Sequence, residues 1–186
     1  MRFPIWLCLA GLLAACSAPA VRQNGARLPG GDAAFQIEAR FSVTNDSERH
    51  SGRLSWRHAP GADDLRLASP FGQVLAEIEV RPGRASLLAA DHSRRDAPDA
   101  QTLTQQVLGY PLPIERLAGW VRAAPSPAAA VTRDAAGRSA AIDDDGWRIE
   151  YDYDDDAPGT LPARLIVSRS GGPELRLRIE EWTLGQ

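Results

Sequence analysis

The chain has 186 residues, a formal net charge of −3, 44% hydrophobic residues and two cysteines. That weakly acidic balance gives no case for nucleic acid, which would want a basic face, and the length suits a single core once a leader and tether are set aside. Every basic residue is arginine, a bias that genome base composition explains without invoking function.

The first segment, MRFPIWLCLAGLLAAC, carries Arg2 and then an apolar run from Phe3 to Ala15. That run is too short to span a membrane and reads as a secretory signal over residues 1–15. Leu13-Ala14-Ala15-Cys16 has the form of a bacterial lipobox, so Cys16 is expected to receive diacylglycerol and become the mature N-terminus. Cys8 lies inside the segment to be removed and leaves Cys16 no disulfide partner. Ser17 stands where aspartate would retain a lipoprotein in the inner membrane, which favours the outer membrane. Residues 16–33 include Pro19, Pro29 and three glycines and read as a flexible tether; one domain is expected over 34–186.

From Phe35 the chain alternates: Phe35, Ile37, Ala39, Phe41 and Val43 share one face of a strand, with polar residues between them. GRLSWRH, DLRLA and VLAEIEV extend the pattern through Leu54, Trp56, Leu65, Leu67, Val74, Ala76, Ile78 and Val80, separated by turn residues. Such close neighbours favour an antiparallel meander. After RASLLAA the rhythm becomes helical. Leu103, Val107 and Leu108 follow a cap at Asp99 and precede a stop at Gly109. A second helix starts near Pro113 and carries Leu117, Trp120 and Val121. Strands resume at Val131 and run through Trp147, Ile149, Tyr151 and Tyr153, then ARLIVSR and ELRLRIEEWTL, with hairpin turns at Asp145-Gly146 and Gly171-Gly172. Trp182 falls out of phase with Leu175, Leu177 and Ile179, and a bulge near Glu180 would restore it. The expected fold is mainly β: a curved antiparallel sheet, with a helical insertion able to cover one face.

Chemical apparatus is sparse. His50, His58 and His92 lie in or beside predicted turns without metal-ligand spacing and read as solvated. Nucleophile elbows, phosphate loops and dinucleotide fingerprints are missing from the sequence. Asp143-Asp144-Asp145-Gly146 resembles a calcium loop but has Ala141 at the first ligand place and Asp152 at the last, so a hairpin turn is the better account. The acidic stretch Asp152 to Asp156 reads as a solvated connection, with docking of a basic partner as the alternative. Apolar residues along one sheet face, under a lid, instead suit acyl chains. ASPFGQ is unusual because Phe71 occupies a turn between Pro70 and Gly72. The ring either folds back on the core or probes something apolar outside.

SGRLSW, LRLASPFGQ, VLGYPLPIERLAGWV, DGWRIEY, LPARLIV and LRLRIEEW, in that order, resemble the LolB family of outer-membrane lipoproteins across nearly the whole mature domain. The resemblance implies an unclosed antiparallel barrel with a short helical lid over an apolar cavity, no cofactor and no catalytic residue. It implies a monomer, anchored in the outer membrane and facing the periplasm, that accepts acylated lipoproteins from a LolA-type carrier and delivers them to outer-membrane lipid. It also implies a membrane-insertion loop at Pro70, Phe71 and Gly72, where the family often has leucine in place of Phe71. Candidate cavity residues are Phe41, Leu54, Trp56, Leu67, Ile78, Trp147, Tyr151, Leu165 and Leu177, with Leu103, Val107, Leu117 and Trp120 on the lid. Alternation fixes their face and leaves open whether each is lining or core. Ala123 departs from the glycine that many members have after the lid helix. The competing expectation is a scaffold that holds an assembly partner at an exposed sheet edge; a cell-envelope hydrolase is weaker still.

Overall fold

The computed structural model describes residues 32–45 and 48–185, so the signal segment, Cys16 and nearly all of the tether lie outside the described residues. Six strands come first: β1 (Phe35–Asn45), β2 (Glu48–Ala59), β3 (Ala62–Ala68), β4 (Val74–Arg81), β5 (Arg84–Ala89) and β6 (Arg94–Ala97). Two helices follow, α1 (Ala100–Leu108) and α2 (Ile114–Val121), and then β7 (Ala130–Arg133), β8 (Ser139–Asp144), β9 (Trp147–Asp152), β10 (Arg164–Arg169) and β11 (Glu174–Leu184).

All eleven strands form one sheet in the order β6-β5-β4-β3-β2-β1-β11-β10-β9-β8-β7. It consists of two meanders, each local in sequence, joined where β1 pairs antiparallel with β11. The edges β6 and β7 flank the helical segment in the chain, so the sheet stays unclosed and its two ends are linked by the insertion that folds over its face. The inward residues of both meanders join those of the helices in a single core.

Local chemistry accounts for the ends of the elements. Asp99 accepts a hydrogen bond from the Thr102 backbone N–H at 2.7 Å, and Gly109 ends α1 with φ of 82°. Asp145 and Gly146 both take positive φ, the twist a tight hairpin needs between β8 and β9. In the β1–β11 register Glu38 faces Glu181 while Ala39 faces Ile179, so Glu180 is the extra residue. That bulge sets Trp182 beside Ile37 on the core side, as its phase required. The sequence pattern had concealed β6, whose RRDA carries no apolar alternation.

Candidate functional site

The turn after β3 presents Phe71 to solvent. Gly72 N–H donates to the Ser69 carbonyl at 2.9 Å and Ser69 N–H donates to the Gln73 carbonyl at 2.7 Å, closing the loop on itself. Pro70 occupies the second turn position, where its fixed φ fits, and Gly72 supplies the left-handed residue at φ of 88°. The Phe71 side chain is left 99% exposed. Of the two possibilities open in the sequence, the ring takes the outward one.

The base of this loop rests on Gly52 of β2. A methyl group there would overlap the Ala68 carbonyl oxygen and stand 3.1 Å from the Phe41 ring. The glycine of SGRLSW therefore lets the end of β3 cross close over β2 before the loop begins.

The apolar interior lies between the sheet and the helices. Leu54, Trp56, Ile78, Trp147, Tyr151, Leu165 and Leu177 all point into it and are buried, as are Leu103, Leu117 and Trp120 from the lid. Phe41 and Leu67 are half-buried against the same cluster. Trp56 at 0% and Leu103 and Leu165 at 1% exposure retain almost no surface that water could touch. With the lid down, this interior is occupied by the protein's own side chains. Val107 departs from the expectation: it lies one turn beyond Leu103 on the same side of α1, yet is exposed. The helix stops one residue later, at Leu108, and Tyr110 and Leu112 of the connecting segment take the buried places.

The lid is latched unevenly. Trp120 Nε1–H donates to Asp144 at 2.9 Å, Ser126 donates to the other Asp144 oxygen at 2.9 Å, and the Tyr151 hydroxyl donates to the Trp120 carbonyl at 2.9 Å. The Trp120 and Trp147 rings lie 5.9 Å apart. Burial drives the Tyr151 phenol far above its ordinary pKa, so it serves as a neutral donor. By contrast α1 packs on β5 and β6, buries Ala100, Leu103 and Thr104, and accepts the Leu112 N–H on its Thr104 hydroxyl at 2.8 Å. Asp144, read in the sequence only as part of a turn, is thus an interior anchor for α2. Its buried position in the alternation of β8 was the available signal.

His58 also corrects its sequence reading. It lies on β2, buried, two residues beyond Trp56 on the same face, so the period-two rhythm would have placed it. Nδ1 lies 2.7 Å from Asp63 and Nε2 lies 2.9 Å from Asp32, while Trp56 Nε1–H donates to Asp63 at 2.8 Å. Burial opposes charge on the imidazole, but hydrogen bonds from both carboxylates and their negative charge prevail and raise its pKa. Phe35 stacks on the ring at 4.9 Å, and Arg122 reaches Asp32 at 3.5 Å. This cluster ties the first described residue to the body of the sheet. His50 and His92 lie at the surface, as expected. Among the described residues no cluster of histidine, cysteine and carboxylate side chains suits a metal ion.

Residues 33–182 match the family described as "Outer membrane lipoprotein LolB". An outer-membrane lipoprotein LolB of Azoarcus sp. (strain BH72) is 42% identical over 182 residues, covering 96% of this chain and 94% of the relative. Its counterpart in Dechloromonas aromatica (strain RCB) is 37% identical and covers 98% of this chain and 97% of the relative. Among solved structures, a LolA superfamily protein from Nitrosomonas europaea superposes with a TM-score of 0.52 at 12% identity, covering 86% of this chain and 89% of that one. A putative outer membrane lipoprotein-sorting protein domain from Vibrio parahaemolyticus gives 0.52 at 10% identity, covering 84% and 87%. At such identities the likeness is one of fold.

Proposed function

The chain belongs to the LolB family of outer-membrane lipoproteins, and from that premise we propose that it takes acylated lipoproteins from a LolA-type periplasmic carrier and releases them into the inner leaflet of the outer membrane. Its place is in outer-membrane lipoprotein localisation. The observation that carries the mechanism is Phe71, held fully exposed by a loop that satisfies its own backbone.

Transfer energetics set the task. Each exposed methylene of a cargo chain costs about 0.8 kcal/mol, so several chains in water cost on the order of tens of kcal/mol and free diffusion is negligible. Hand-over has to stay dry. The carrier docks mouth to mouth, the lid yields, and the acyl chains take the place of side-chain contacts between the lid and the inward faces of Phe41, Leu54, Trp56, Leu67, Ile78, Trp147, Tyr151, Leu165 and Leu177. Phe71 then enters the leaflet. One phenyl ring contributes roughly 1.5–3 kcal/mol, which orients the protein toward lipid but does not anchor it. Anchoring belongs to a diacylglyceryl group on Cys16. The protein acts as a monomer, without a cofactor and without covalent chemistry.

The rival readings fare worse. An edge-strand scaffold needs an edge inviting to a partner, yet β6 presents Arg94, Arg95 and Asp96, and β7 has only four residues. A hydrolase built on His58 would need a ring nitrogen free to take a proton, and both of its ring nitrogens already face carboxylates. The test is transfer. Cargo mixed in on a loaded carrier, without nucleotide, should move to this protein and then to vesicles. Phe71→Glu should preserve acceptance and block release into lipid. Normal release by that variant would refute the role of the loop, and failure of the parent protein to accept cargo would refute the function.

A further inference from the structure

The outward face of the sheet carries a row of arginines that β-pairing alone brings together. Arg53 of β2 is paired with Arg40 of β1, Arg40 with Arg178 of β11, and Arg178 with Arg164 of β10. Like charges placed directly opposite on neighbouring strands are destabilising, so four in succession work against the sheet. Flanking acids offset part of this: Glu180 lies 2.7 Å from Arg40, Asp154 3.1 Å from Arg178, and Asp152 3.6 Å from Arg164. Arg53 has no such carboxylate among the described residues. All four side chains line one cleft of about 630 Å³, whose wall also includes Pro70.

The position of the row gives it a use. Arg53 pairs across to Ala68, the last residue of β3, and Phe71 follows three residues later, at most about 11 Å along the chain. The headgroup layer outside the hydrocarbon is roughly 5–8 Å thick on each side of a bilayer. With Phe71 in hydrocarbon, the near end of the row stands at the level of the lipid phosphates, and the arginine nearest the loop is the one without a carboxylate. Guanidinium groups bind phosphate oxygens through paired N–H donors. We propose that this row is a binding site for the phosphates of anionic phospholipid headgroups, which sets the depth and tilt of the protein as the loop enters the leaflet. The proposal rests on the membrane-insertion reading of Phe71.

A whole-chain charge of −3 predicts repulsion from an anionic surface, so attraction to one isolates the row from bulk electrostatics. The processed, lipid-anchored protein is diluted from detergent into a mixture of phosphatidylcholine vesicles and vesicles containing phosphatidylglycerol, which are then separated by density. The expected distribution favours phosphatidylglycerol by about tenfold at low salt and evens out as salt is raised. The double variant Arg40→Gln/Arg53→Gln should lose the preference, while its thermal unfolding and cargo acceptance stay close to those of the parent. An even distribution of the parent, or a preference that survives in the double variant, overturns the proposal. If the double variant keeps the preference but takes cargo more slowly from the carrier, the row is a dock for an acidic protein, which equally overturns it. Phe71→Glu separates the two readings: normal cargo release by that variant sinks the insertion reading, whereas the vesicle preference reports on the arginines alone.

Discussion

Gly52 and Ala68 meet so closely that the space a side chain on residue 52 would need is filled by the Ala68 carbonyl. The loop bearing Phe71 starts one residue beyond that contact. Gly52→Ala therefore forces the end of β3 away from β2 and re-aims the loop. Overpacking of this kind costs about 1–3 kcal/mol. Thermal unfolding should fall accordingly, and release of cargo into vesicles should fall further than acceptance from the carrier. Equal loss in both steps would show that Gly52 serves stability alone.

Ala123 follows α2 with φ of 54°, and its N–H donates to the Trp120 carbonyl while Ala124 N–H donates to that of Gly119. This is a left-handed helix exit built on a residue with a Cβ. The left-handed region costs a non-glycine residue roughly 1–2 kcal/mol, part of which glycine returns through its freer unfolded chain. Ala123→Gly should stabilise the protein by about 0.5–1 kcal/mol in denaturant unfolding, with an unchanged slope. Glycine adopts this left-handed conformation without strain, whereas Ala123 holds it with a Cβ in place. A destabilised variant would show that the methyl group packs better than its backbone strain costs.

Much of this architecture was legible because it is local. Period two placed the inward residues of β1 to β4, Asp99 and Gly109 bounded α1, and the phase of Trp182 demanded a bulge. The pairing of β1 with β11 was not legible, since it joins the two ends of the chain and no local pattern encodes it. The arginine row depends on that same pairing and was invisible for the same reason. His58 and Asp144 were misjudged because their residue types suggest water; burial becomes tolerable only where Asp63 and Asp32, or Trp120 and Ser126, satisfy them. Val107 lies in the last turn of α1, where the helical period could not foresee that Tyr110 and Leu112 beyond the helix end are the buried residues.

His58 links stability to pH. Its folded pKa lies above the ordinary 6.5 of the unfolded chain, so its contribution is fully present below 6.5 and is lost as pH rises through the folded value. The groups facing it are Asp63, Asp32, the Phe35 ring and, through Asp32, Arg122. The thermal midpoint should decline as pH rises from that point, and His58→Gln should flatten this part of the profile. An identical slope in parent and variant would place the titration elsewhere.

Asp144 offers a way to loosen the lid without unfolding the sheet. Asp144→Ala removes the acceptor for both Trp120 and Ser126 and leaves a buried indole N–H unpaired, at a cost of about 1–3 kcal/mol. That cost falls on the contact between α2 and β8, whereas the strand ladders beneath are untouched. If the lid must lift before the interior can take acyl chains, Asp144→Ala should admit an apolar fluorescent dye faster than the parent, and an acylated peptide should displace it. Asp144→Asn keeps an oxygen for one donor and should lie between the two. Dye uptake that stays at the parental rate in both variants, despite their lowered stability, would mean that entry to the interior does not pass beneath α2.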